Sequence, residues 1–119
     1  MPFKVVLGEL LASVPGAEGA IIADWEGEAV DQVGCMEAFD LQVLGAYKGI
    51  ILNNLRIALQ RSSGDDLQEV VIGTERTRTV VLPITADYFL VLTGLREALL
   101  GRALFAARSC VEQLRSEFS

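Results

Sequence analysis

The chain has 119 residues, 51% apolar and 22% charged, which suits one domain with a packed core, leaves no room for a second, and excludes a disordered segment. Ten basic against sixteen acidic residues give a net charge of −6 with no histidine, so the clustered cations that displace counterions from phosphate are missing and nucleic acid is excluded as a partner. The apolar runs are broken by charge or glycine far short of the roughly 18 to 20 residues that cross a bilayer, so no membrane insertion is expected.

Phe3, Val6, Leu7, Leu10, Leu11 and Val14 recur at helical spacing and predict a first helix of about three turns, stopped by Pro15-Gly16. Glu9 interrupts its apolar face and no small-residue cleavage site follows, so secretion is not expected. Gly19 to Ala23 reads as a strand, Asp24-Trp25-Glu26-Gly27 as a turn, and Glu28 to Val33 as the return strand of a hairpin. Trp25, the only tryptophan, is either a contact residue at the hairpin tip or folds back onto the first helix.

Asp40 to Arg61 predicts a long helix, with Asp40 as its N-cap. At about 100° per residue it carries two apolar stripes on opposite sides: Leu41, Leu44, Ile51, Leu52, Leu55 and Leu59 on one, Val43, Ala46, Tyr47, Ile50 and Ile57 on the other. One stripe serves the chain's own core; the second needs another surface, most simply a second copy or another protein. A third face holds Gln42, Gly45, Gly49, Asn53, Arg56 and Gln60, where the glycines suggest close approach of another backbone or loose helix geometry. Ser62 to Asp66 ends the helix. Val70 to Ile72, Thr79 to Leu82 and Tyr88 to Leu92 then read as an antiparallel meander. A last helix from about Ala98 to Glu117 has one stripe of Leu100, Ala103, Leu104, Ala107, Val111, Leu114 and Phe118.

The expected fold class is therefore α/β (α+β): residues 1–119 as one domain, a five-stranded antiparallel sheet with helices on its faces, in the order α-β-β-α-β-β-β-α. Little in the chain points to catalysis. Without histidine the commonest general base and metal ligand are gone, and neither phosphate-cradling glycine loop is present. Ser62 and Ser63 have no base to activate them. Cys35 and Cys110 lack any C-x-x-C spacing and read as small apolar side chains of a reducing cytoplasm. The acidic hairpin residues Asp24, Glu26, Glu28 and Asp31 fit solvation and turn geometry better than a cation site. No enzyme activity, cofactor or metal is expected.

The order of elements resembles the Roadblock/LC7 family. The resemblance rests on Val14-Pro15-Gly16-Ala17-Glu18-Gly19-Ala20-Ile21-Ile22-Ala23-Asp24, Val70-Val71-Ile72-Gly73-Thr74-Glu75, Val80-Val81-Leu82-Pro83-Ile84, Tyr88-Phe89-Leu90-Val91-Leu92 and Gly101-Arg102-Ala103, and covers nearly the whole chain. It implies a homodimer built from two copies of the middle helix and the adjoining edge strand, without catalysis of its own. Family members serve as platforms for Ras-like GTPases, as dynein light chains or as lysosomal scaffold subunits. In length this chain is similar to the stand-alone prokaryotic members, whose gliding-motility representatives regulate a small polarity GTPase.

Under this resemblance the expected interface comprises Val43, Tyr47, Ile50, Asn54, Ile57 and Arg61 on the helix, with Val70 and Ile72 on the pairing strand. Its expected partners are a second copy and a small Ras-like GTPase. An arginine finger would have to come from Arg56, Arg61, Arg76 or Arg78, with solvated or rim charges as the plainer role for all four. The alternative is a dimeric scaffold, or a profilin-like sensory domain holding a small ligand between sheet and helices.

Overall fold

Apolar residues every three to four positions make Phe3–Ser13 the first helix, α1, and bury Val6, Leu7 and Leu10. The computed structural model describes residues 3–24, 26, 28–34, 38–95 and 100–118, with side chains left out for 38–48, 95 and 100. Gly16, at φ 91°, reverses the chain after α1, and the Ala17 N–H donates to the Val14 carbonyl. Strand β1 (Ala17–Asp24) begins two residues before the expected Gly19, because its pairing with β5 extends back to Ala17↔Gly94.

Strands β2 (Ala29–Gly34), β3 (Val70–Gly73), β4 (Thr77–Pro83) and β5 (Tyr88–Leu95) complete a five-stranded antiparallel sheet ordered β2-β1-β5-β4-β3. The apolar runs of β1, β4 and β5 are nearly continuous rather than alternating because these inner strands are covered on both faces. On one face Ala20, Ile22, Val80, Leu82, Leu90 and Leu92 pack with α1 and with α3 (Leu100–Phe118), whose Ala107, Cys110, Val111 and Leu114 are buried. On the other face Ile21, Ala23, Val81, Phe89 and Val91 meet Leu52 of α2 (Ala38–Ser62). Each fully buried Leu, Ile or Phe here is worth roughly 1.5 to 3 kcal/mol of transfer free energy.

Three expectations change. Helix α2 starts at Ala38, so Asp40 lies inside its first turn and is not the N-cap. Among the described residues, the stripe assigned to the core supplies Leu52 as its one fully buried residue, while Ile51 and Leu55 are exposed. The glycine face is the one that meets the sheet: Gly49 is buried and Asn53 and Arg56 are half-buried. The close approach at Gly49 is made by the Phe89 ring rather than by a backbone. Trp25, Gly27, Cys35 and the predicted start of the last helix at Ala98 lie outside the described residues.

A candidate interaction face on the second helix and the sheet edge

From Gly49 onward, α2 presents Ile57, Ile50, Arg61, Asn54, Ala58, Ile51 and Leu55 outward over an arc of about 160°. Ile50 is 57% exposed, and Ile51, Leu55 and Ile57 are each about 40% exposed. Four large apolar side chains uncovered on consecutive turns of one helix are more than the scattered exposure of a monomer surface. The two predicted stripes thus meet as one outward face, because residues with smaller or polar side chains, Gly49, Asn53 and Arg56, take the inner side. Asn54 and Arg61 lie within the arc as expected; Val43 and Tyr47 fall where side chains are not described.

Each outer strand has one edge with no strand neighbour in the sheet, and the register shows which groups line it. The Asp24 N–H donates to the Glu28 carbonyl at 3.0 Å, so with the strand period of two Ile22 also faces β2 and its partner Asp31 faces back. Gln32 therefore points its N–H to the free edge. At the opposite side the Ile84 N–H donates to the Tyr88 carbonyl, so even-numbered residues of β4 face β5, and Thr79 and Val81 face β3. Their partners Ile72 and Val70 turn inward. The outward N–H and carbonyl groups on β3 belong to Val71 and, by the same alternation, Gly73; the sequence reading singled out neither, because only the pairing register shows which residues face outward. Val70 and Ile72 instead place half-buried side chains on the α2 face, Val70 against the core.

The remaining candidate groups are engaged locally. The Asp24 carboxylate accepts from the Glu26 and Glu28 N–H groups at 3.0 Å each. Ser62 and Ser63 hydroxyls donate to the Leu59 carbonyl at the end of α2. Arg76 is exposed in the β3–β4 turn and Arg78 is half-buried on β4. No group of three metal-ligating side chains forms among the described residues, and no helix there is long and apolar enough to cross a membrane.

No protein-family model and no curated protein matches the sequence. Among solved structures, a Roadblock/LC7 domain from Streptomyces avermitilis is similar at a TM-score of 0.89, over 96% of this chain and 95% of that one, at 19% identity. The chain has the Roadblock/LC7 fold. MglB of Myxococcus xanthus is similar at a TM-score of 0.88 over 98% of this chain and 94% of that one, at 12% identity. Acanthamoeba castellanii profilin IA is similar at 0.64 over 98% and 99%, at 14% identity. At such identities the likeness is one of fold.

The opposite face of this Roadblock/LC7 fold carries an apolar residue that lay off the predicted stripe of the last helix. Phe105 is 73% exposed on α3, between a groove of about 600 Å³ bordered by Glu69, Arg108 and Arg115 and one of about 400 Å³ bordered by Glu9, Leu10 and Arg102. Arg108 Nε donates to Glu69 at 2.9 Å, and that carboxylate pushes the guanidinium further above its usual range. Arg115 donates to the Ile84 carbonyl and pairs with Glu112. Between sheet and helices, a cavity of about 20 Å³ beside Val14, Val80, Leu92 and Ala103 is too small for more than a water.

Proposed function

We propose that two copies of this chain pair through α2 and the β3 edge to form a non-catalytic module that binds a small Ras-like GTPase and regulates its nucleotide cycle. The observation carrying the reading is the adjacency in chain order of two unsatisfied features: an outward apolar arc ending at Arg61, and the open strand edge at Val71 that follows it. Apposition of two such helices and two such edges about a two-fold axis buries both at once. The GTPase partner comes from the resemblance to Roadblock/LC7 platforms, and the fold supports that resemblance. The poverty of acid-base groups favours regulation by binding: holding the switch loops in one conformation shifts their equilibrium by the difference in affinity for the two states. Arg61, exposed within the arc, is the best placed of the four arginines to meet a partner. With lone cysteines and no membrane-crossing helix among the described residues, the cytoplasm is the proposed location.

The test is retention from the source cell's lysate on the immobilised protein, with GDP or a non-hydrolysable GTP analogue present. A small GTPase retained in one nucleotide state supports a regulator or effector platform. Its absence in both states moves the reading to a self-assembling scaffold.

A further inference from the structure

The sheet has two outer strands, and they are not equally open. On β2 the Gln32 N–H points away from β1, and the carboxylate of the preceding residue, Asp31 Oδ1, accepts it at 3.0 Å. The same Oδ1 lies 3.9 Å from the Lys4 ammonium on α1, so the carboxylate is drawn from a second element as well. An incoming strand at this edge would need that N–H for its first ladder bond, and would have to displace a charged acceptor whose hydrogen bonds are among the stronger ones. On β3 no side-chain acceptor covers an outward amide among the described residues, and Val71 is itself exposed.

We propose that Asp31 closes the β2 edge to strand addition by a second copy of this chain. A sheet with two open edges of its own kind pairs at both and grows without limit, whereas one with a single open edge stops at a closed pair. The closure at β2 follows from its own geometry; only the size of the finished assembly rests on the pairing proposed at β3. Without the carboxylate, the outward Gln32 backbone N–H loses its Asp31 acceptor beside Val30, already 42% exposed, and the occupant is the β2 of another copy, antiparallel about a two-fold axis.

The experiment is sedimentation over a wide concentration range for the parent, Asp31→Ala, and the double variant Asp31→Ala with Gln32→Pro. Proline at position 32 removes the outward N–H without costing a ladder bond, so it closes the edge by another route. The expected result is a mass for Asp31→Ala that rises by about twofold or more with concentration while the parent's stays constant, and a return to the parent's mass in the double variant. Asp31→Asn, which keeps an oxygen acceptor at the same atom, should behave as the parent and serves if Asp31→Ala folds poorly. An Asp31→Ala mass equal to the parent's throughout, or a gain that Gln32→Pro does not reverse, overturns the proposal. A parent that sediments as a single chain defeats the pairing at β3, while a gain in Asp31→Ala would still support closure at β2.

Discussion

The ring of Phe89 occupies the space a side chain at Gly49 would need: a β-carbon at residue 49 would lie 2.7 Å from its Cζ. Phe89 is fully buried in the sheet, so the ring has nowhere to retreat. Gly49→Ala should therefore destabilise the fold by about 1 to 2 kcal/mol, overpacking outweighing the gain of about 1 kcal/mol in helix propensity. Gly8, in α1 with nothing within 4 Å of its β-carbon position, should respond oppositely and gain. Urea unfolding of the two variants checks the sign; stabilisation by both would mean α2 does not sit on that ring.

Ile50→Asp should split the proposed pair while leaving the single chain folded. Its side chain is mostly in water in one copy, so the charge is tolerated there, but in a dry interface it is strongly disfavoured. The expected loss is at least about 2 kcal/mol, near 30-fold in the pairing constant. Sedimentation with unchanged mass and unchanged circular dichroism would remove Ile50 from the interface.

Thr79 and Thr93 share a hydrogen bond, Oγ1 to Oγ1 at 3.0 Å, between two buried side chains of β4 and β5. Thr93→Val leaves the Thr79 hydroxyl buried without that partner and should cost about 1 to 3 kcal/mol, whereas changing both to Val should cost much less. The double-mutant cycle reads the coupling, and additive losses would argue against the bond.

Burial pushes the Cys110 thiol up to about 11 from an ordinary 9.0. Alkylation at Cys110, followed by peptide mass spectrometry, should be negligible near neutrality and should rise steeply as pH approaches that value. The folded state favours the neutral thiol, so this contribution to stability is full below the unfolded chain's value and is lost as pH rises towards 11. The loss amounts to about 2 kcal/mol. Rapid labelling at neutral pH in the folded protein would show that the site opens.

The element order was legible because each segment carries its own period: four of the six stripe positions predicted for the first helix are buried, as are Ala103, Ala107, Val111 and Leu114 of α3. The inner face of α2 was not legible. Hydropathy assigns the inside to the largest apolar residues, but this helix seats on a ring supplied by a strand about 40 residues away, and fitting that ring selects Gly49. The open edge at Val71 and the capped amide at Gln32 depend on register, which a one-residue shift inverts and which no local pattern in this chain specifies. On the candidate face, the outward placing of Ile50, Asn54, Ile57 and Arg61 follows from spacing along one helix, whereas the outward groups of the strand needed its neighbours.

The central position of β1 beside β5 bears on how the molecule is made. Hairpin β1–β2 and meander β3–β5 each join strands close in sequence, yet Ile21 pairs with Val91, about 70 residues on. Closing a loop of that length costs chain entropy before any contact repays it. The two halves should therefore organise early and dock late, so substitutions within the hairpin should mainly slow folding, while those at the β1–β5 seam, completed after the barrier, should mainly hasten unfolding.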